Sequence, residues 1–462
     1  MIQKERVQCL NEKPPRSGRY VVYWMQAAQR VEYNHALEYA VQKANEFQKP
    51  LLIVFILTDR FPEANARHYL FLLEGLREVQ DDFAQRGFKM AVRFSPHPPE
   101  GIIEVAGEAV CLVTDRGYLR IQRQWREEVA ARIPCPLWQV ESEVVVPVEV
   151  VSTHEEYGAY TIRPKIKKHL SRYLVPLAEE KPHHPSLNLP SFPWELNLSE
   201  PRKVLEQLAV DRSVTLLPDQ GGTSRGKRKL REFIERKLPH YSQLRNDPSQ
   251  DGLSGMSPYL HFGQISPLFI VREIINAPLK EEEKEVYLEE LIVRRELAAN
   301  FVFYNPVYDS FLCLPSWARE TLEKHRRDPR KYHYPKEVFE AAQTHDPLWN
   351  AAQRELLLTG KLHGYVRMYW GKKILEWSED PEEAFQIALF LNNKYALDGR
   401  DPNSFAGIAW CFGKHDRAFQ ERPIFGKVRY MGLGAMKQKG VIERYIERIE
   451  RGNGHETEGG SK

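Results

Sequence analysis

The sequence predicts an α/β unit followed, across a long connector, by an all-helical unit. Three observations predict it. From residue 20 to about 145, short β-branched apolar runs alternate with amphipathic stretches. Residues 181–222 lose all periodicity and become rich in Pro and Ser. Beyond them strand-like runs nearly vanish. A chain of 462 residues has room for two or three domains, each with its own core. The expected divisions are 1–180, 181–222 and 223–462.

In the first unit, strands are expected at 20–23, 51–57, 90–94, 110–114 and 137–140, with helices at 34–48, 66–85, 100–106 and 119–132. Continuous apolar strands separated by helices mean a five-stranded parallel sheet covered on both faces, Rossmann-like in its order of elements. Thr58-Asp59 and Thr114-Asp115 each follow a strand, at the end where open sheets bind ligands; helix capping is the preferred reading of each pair. No G-x-G-x-x-G follows the first strand, so the usual dinucleotide site is not expected.

The connector KPHHPSLNLPSFPWELNLSEP reads as a surface segment. Helices are then expected at 227–238, 268–275, 281–303, 336–343, 347–358, 365–377, 381–392 and 441–451. Gly221-Gly222-Thr223-Ser224-Arg225-Gly226-Lys227 has P-loop spacing. Arg228 stands where a Ser or Thr hydroxyl would hold magnesium, so nucleotide hydrolysis is not expected.

The formal net charge of +3 says little, but its distribution says more. Residues 411–450 hold nine Lys/Arg and five Asp/Glu, a local excess of +4. That suits a phosphate-rich partner, and a solvated helix face equally. The five cysteines are scattered, odd in number and without C-x-x-C, which argues for a reducing compartment, no disulfide frame and no metal site. No signal-peptide core opens the chain, and no apolar run approaches the roughly 18 residues of a membrane span. The expected location is the cytoplasm.

Four stretches carry candidate chemistry. In LSGMSPYLHFG, Ser257 is placed as an N-cap and Pro258 as the first helical residue, with Ser254 and Gly255 ahead. A helix start with free N–H groups and hydroxyls suits a pyrophosphate, and a capped helix holding nothing is the plainer alternative. Tyr241 precedes Arg245-Asn246-Asp247-Pro248. Glu290 and Arg294 are four apart on one helix face, where a surface ion pair is the plainer reading. Trp370 and Trp377 are seven apart, nearly on one face and about 10 Å apart along the axis, with Trp349 on the preceding helix. Such a stripe is more often core than electron path.

Taken together, LRNDP, LSGMSPYLHFGQIS, ELIVRRELAANFVFYNP, THDPLWNA, TGKLHGYVRMYWGKKILEWS, LNNKYALDGRDPNSFAGIAW and ERPIFGKVRYM resemble class II cyclobutane pyrimidine dimer photolyases, in the photolyase/cryptochrome superfamily. RYVVYWMQAAQRVEYNHAL does so as well, and the likeness spans nearly the whole chain. The resemblance implies a bent FAD in the helical unit, active when reduced. Tyr241, Leu253, Ser254, Gly255, Met256 and Ser257 would line its phosphates and ribityl chain. Arg367 and Asp398 would flank the isoalloxazine, Gly399 and Asn403 would complete the pocket, and Asn392 would face N5. An amide oxygen accepts a hydrogen bond from protonated N5 but cannot take the proton as a carboxylate could. Trp370, Trp349 and Trp377 would conduct electrons, in that order from flavin to surface.

By the same resemblance the substrate is UV-damaged DNA, double- or single-stranded, and the activity is blue-light repair by a monomeric carbon–carbon lyase. Glu290 and Arg294 would meet the lesion bases, and Met368 and Trp410 would pack on them. Arg245 and Asn246 would meet the flipped nucleotides or fill the gap in the duplex, and Arg417 and Arg429 would hold phosphates. Phe419 stands where relatives carry Trp, which leaves its role open. The resemblance also implies a second, light-harvesting chromophore in the N-terminal unit, which the sequence does not identify; a deazaflavin and an empty site are the alternatives. The location would be the cytoplasm of a prokaryote, at its nucleoid, or a eukaryotic nucleus. A cryptochrome, sensing light without repair, is the rival reading; the short tail GNGHETEGGSK and the retained Asn392 weigh against it. A (6-4) photolyase would need a histidine at the lesion; His363 and His415 are expected to be structural.

Overall fold

The computed structural model describes residues 2–217, 220–432, 434 and 440–454, with side chains to Arg451. Six strands form one sheet: β1 Val7–Cys9, β2 Tyr20–Met25, β3 Leu51–Leu57, β4 Lys89–Phe94, β5 Ala109–Asp115 and β6 Leu137–Val140. Their order is β1-β6-β5-β2-β3-β4. All pairs are parallel except β1 against β6. Every residue of β2, β3 and β5 is buried, as a sheet covered on both faces requires. Val21, Tyr23 and Met25 pack under α1 (His35–Glu46) and α2 (Ala66–Gln85). Tyr20, Val22 and Trp24 pack on the opposite side with α3 (Pro98–Ala106) and α4 (Arg120–Arg132).

The antiparallel edge strand corrects the expectation of a five-stranded, all-parallel sheet. β1 is three residues long and mostly exposed, so it leaves no apolar alternation to read. Its anchor is Arg6, which donates to the carbonyls of Glu141 (3.0 Å), Val144 (3.2 Å) and Val145 (2.6 Å). The two Thr-Asp pairs also differ from expectation. Thr58 donates to the Pro96 carbonyl, and Asp59 accepts from the Ala209 N–H. Thr114 donates to the Trp24 carbonyl, and Asp115 accepts from Tyr23 and from the Gln26 and Ala27 amides. They pin loops at the carboxyl end of the sheet instead of capping helices.

The connector contains a helix, Pro201–Gln207, whose Val204 and Leu205 join the core beneath α1 and α2. After α5 (Ala159–Tyr173), the helical unit includes α6 Thr223–Glu232, α7 Pro267–Asn276, α8 Pro347–Thr359, α9 Gly364–Trp377, α10 Pro381–Tyr395, α11 Pro402–Cys411 and α12 Val441–Gly454. The helix expected at 281–303 is interrupted by a π-helical turn over Glu289–Arg294. The P-loop look-alike holds protein carboxylates. The Gln220 and Gly221 amides donate to Glu74, and the Ser224 amide donates to Glu78. No described helix is long and apolar enough to cross a membrane.

Candidate functional site

The helical core converges where α9 begins, α10 ends and α11 begins. Pro347, Pro381 and Pro402 stand in the first turns of α8, α10 and α11, where a missing N–H is harmless, and Asp346, Asp380 and Asp401 cap those helices. Arg367, in the first turn of α9, donates to Asn392 Oδ1 (3.1 Å) and lies 3.5 Å from Asp398 Oδ1. Asn392 is buried, while the Arg367–Asp398 pair is partly exposed. Gly399 is packed on backbone: a Cβ there would stand 2.8 Å from the Asn393 carbonyl. Asn403 is exposed, and its N–H donates to Asp401 (2.8 Å).

One helical turn past Arg367 stand the indoles. Trp370 and Trp349 are stacked at 6.2 Å between centroids with planes 6° apart; Trp349 meets Trp377 at 6.4 Å and 65°. Trp349 thus lies between the other two. Trp370 and Trp349 are fully buried, and Trp377 is 3 % exposed beside an open pocket lined by Tyr332, His345 and Lys373.

The Ser-Gly turn lies at the other end of the same region. Gly255 adopts a left-handed φ of +67°, and a Cβ there would stand 2.9 Å from Lys361 Nζ. Ser254 Oγ accepts from the Met256 amide (3.3 Å). Ser257 is not the N-cap expected. Met256 is already in helical conformation and precedes the five-residue helix Ser257–His261 without a side-chain cap. Met256 is buried, and Leu253 is partly so. Tyr241 packs edge-on against Phe233 and Tyr287.

Sequence reasoning missed two cations here. Lys361 and Lys229 line one cavity of about 300 Å³ with Tyr259 and Gln220. Neither ammonium has an ion-pair or hydrogen-bond partner among the described residues. Burial lowers the pKa of both, that of Lys229 to about 8, and the Lys361 charge lowers the Lys229 value further. Two partly buried positive charges beside a left-handed glycine turn suit a diphosphate. The polar trio Arg367, Asn392 and Asp398, one turn from Trp370, suits a redox ring. These residues fit FAD.

The lesion set divides into two groups. Arg245 donates to Glu290 Oε1 (2.7 Å), and Arg294 pairs with Glu289 (3.3 Å). The pair expected between Glu290 and Arg294 is therefore replaced: the i→i+5 repeat of the π turn puts Glu289 on the face of Arg294, and Glu290 is taken by Arg245. Asn246 is exposed nearby in the chain. Met368 and Trp410, on α9 and α11, are partly buried. In the loop after α11, Asp416 accepts two bonds from Arg429 (2.8 and 3.0 Å). Phe419 carries Arg429 on its ring at 4.4 Å and Arg417 at 5.3 Å. It is the shelf that holds both guanidinium groups outward.

His363 accepts from the Tyr365 amide at the start of α9, and His415 donates to the Tyr157 carbonyl. Burial holds both imidazoles down to a pKa of about 4, so neither is charged at neutral pH.

Residues 21–185 match the DNA photolyase family model. A deoxyribodipyrimidine photo-lyase of Methanothermobacter thermautotrophicus is 51 % identical over 97 % of this chain and 99 % of its own. One of Potorous tridactylus is 38 % identical over 93 % of this chain and 81 % of its own. Among solved structures, an archaeal photolyase of Sulfolobus tokodaii, described with two FAD molecules, superposes with a TM-score of 0.69 at 15 % identity, over 93 % of this chain and 89 % of that one.

Proposed function

The chain belongs to the DNA photolyase family, the deoxyribodipyrimidine photo-lyases, and from that premise we propose which of its residues carry the repair. It is a lyase of light-driven DNA repair; the bond broken is the cyclobutane link between neighbouring pyrimidines. FAD, when bound and reduced, supplies the light-driven electron that opens the ring and takes it back afterwards.

Lys361 and Lys229 neutralise the diphosphate beside Ser254 and Gly255, while Tyr241, Leu253, Met256 and Ser257 line the ribityl chain. Arg367 and Asp398 flank the isoalloxazine, Gly399 and Asn403 close the pocket, and Asn392 serves N5 as an acceptor that takes no proton. Trp377, Trp349 and Trp370 pass electrons inward. The lesion leaves the duplex, where a damaged step is cheap to unstack. Glu290 and Arg294 meet its bases, Met368 and Trp410 pack on them, and Arg245 and Asn246 occupy the gap. Arg417 and Arg429 hold phosphates.

The observation that carries this reading is the unbroken indole path, 6.2 and 6.4 Å per step, starting one turn from Arg367. A core stripe would not need parallel rings beside a polar cluster. The test is an oligonucleotide with one thymine dimer, incubated with the reduced protein in light and in darkness; equal lesion content in both ends the reading. Trp349→Phe is expected to slow photoreduction more than tenfold and to leave repair by chemically reduced protein intact. Loss of both would reject the relay.

A second chromophore has a fitting place between the two units. A cavity of about 140 Å³ is lined by Trp24, Thr58, Trp125, His261, Phe262 and Arg400. It opens at the carboxyl ends of β2 and β3, where doubly wound sheets take ligands. A planar pigment such as a deazaflavin matches its aromatic walls.

A further inference from the structure

We infer that the outward face of α5 is a second DNA-binding surface, which grips the duplex on one flank of the lesion; the inference rests on the repair reading above. Residues 159–173, AYTIRPKIKKHLSRY, carry Arg163, Lys165, Lys167, Lys168 and Arg172 and no acidic residue. By contrast, α12 mixes both signs in VIERYIERIER. A one-signed helix repels itself and raises the local concentration of a polyanion.

The face is ordered by burial. Ala159, Ile162, Ile166 and Tyr173 anchor α5 to the core. Tyr160, Pro164, Lys167, Lys168 and Ser171 form the exposed stripe opposite, about 16 Å long at 1.5 Å per residue. Arg163, Lys165 and Arg172 are paired with Glu289, Glu156 and Glu5. Lys167 and Lys168 have no ion-pair partner among the described residues, and so are free for phosphates. Tyr160 is 66 % exposed, and Tyr157, whose ring meets it edge-on at 6.0 Å, is 45 % exposed. Two large rings left in water suit contact with sugars or bases.

The surface is continuous with the DNA-facing loop. Tyr157 donates to the Asp416 carbonyl (2.9 Å), and the Asp416 carboxylate holds Arg429. His415 bonds back to the Tyr157 carbonyl (2.9 Å). On the neighbouring side Arg163 grips Glu289 through two bonds (3.0 and 2.7 Å), and Glu289 also pairs with Arg294. Tyr157, just ahead of α5, and Arg163 within it therefore tie the helix to both elements that present the lesion contacts. Its lysines lie further out, where only DNA several base pairs beyond the dimer reaches. An acidic protein would meet the same charges, but the bonds to the Arg429 loop favour the strand already held there.

The test compares Lys167→Ala/Lys168→Ala, and separately Tyr160→Ala, with the wild type on two substrates in the dark. One is a duplex of about 20 base pairs with one dimer, and the other is the dimer dinucleotide. For the double variant the slope of log K against log salt on the duplex should become shallower by about 1 to 2, one unit per lost phosphate contact. The ratio of duplex to dinucleotide affinity should fall about tenfold. Tyr160→Ala should lower the ratio and leave the salt slope alone. An unchanged slope and ratio in the double variant, with a wild type that repairs dimers in light, overturns the second surface only. A wild type that repairs neither substrate overturns the repair reading itself.

Discussion

Trp349 donates its indole N–H to the Trp370 carbonyl (3.0 Å), and Trp370 donates its own to Gln353 Oε1 (2.9 Å). One polar bond per ring fixes each plane inside apolar packing, which keeps the path short. Trp349→Ala would leave a cavity and cost about 3–5 kcal/mol, so a repair defect in it would say nothing about electrons. Phenylalanine fills most of the space and is the cleaner probe. Asn392 is sharper still. In Asn392→Asp a carboxylate stands where the amide bonds Arg367 at 3.1 Å. It draws the guanidinium from Asp398 and offers a base where there was none. Illuminated with a thiol, that variant should accumulate less fully reduced flavin than the wild type, by about tenfold if roughly 1.4 kcal/mol is lost. Absorbance reads the outcome directly, and normal accumulation would remove Asn392 from the assignment. The family resemblance, and not the tryptophan spacing, pointed to this part of the site. Lys229 and Lys361 were not legible, because RGKRKLR and TGKLHG look like ordinary solvated charge until the fold buries them together.

At the scale of elements, two devices turn chain into function: a π turn and a clasped loop. The π turn reassigns the partners of Glu290 and Arg294, and a sequence read with α-helical spacing has no means to see it. The loop after α11, with Arg417 and Arg429 on Phe419, is fastened to the helix Ser316–Lys324 through the His325 that follows it. His325 lies 2.6 Å from Asp328 and 2.8 Å from Glu421, and Lys324 also bonds Glu421 (2.6 Å). Asp328 in turn accepts from the Ile424 amide (2.8 Å). The bonds to Glu421 and Asp328 raise the His325 pKa above its ordinary 6.5. A raised folded value means the clasp contributes fully below 6.5 and is lost as pH rises through the raised value. Dark affinity for damaged duplex should therefore weaken over that window, and His325→Gln should flatten the change. Titrating the imaidazole by NMR gives the window independently; a pH profile unaltered in the variant would show that the clasp does not set the loop. Charge excess over 411–450 pointed to this region, but the fastening depends on a histidine nearly a hundred residues away.

For the whole molecule, the fold class followed from periodicity: a change from strand-and-helix alternation to helix alone is visible in any window. The seam between the units was not, since its bonds join residues far apart in the chain. Arg67 donates to the Tyr395 carbonyl (2.9 Å), and His68 Nε2 meets the Ala396 carbonyl (2.9 Å), so α2 holds the end of α10 and with it the turn that carries Asp398. Arg30 reaches across to the Gly263 carbonyl (2.9 Å) while paired with Glu143 (2.7 Å). Gly263 itself is the tightest point of the seam. Its φ is +65°, and a Cβ there would stand 1.6 Å from the Ala27 carbonyl oxygen. Neither group can retreat, because Ala27 stands two residues past β2 and its amide is held by Asp115. Gly263→Ala should therefore part the two units, costing about 3–5 kcal/mol, at the upper end for single substitutions. At Gly407, by contrast, a Cβ would meet nothing within 4 Å inside α11, and alanine there should gain about 0.5–1 kcal/mol. Thermal unfolding of the two variants side by side decides between strain at the seam and a general intolerance of added methyl groups. Strain at the seam should also loosen the cavity between the units, so Gly263→Ala should retain less chromophore than Gly407→Ala after gel filtration. Equal stability and equal retention would mean that the units are joined by something other than the contact at Gly263.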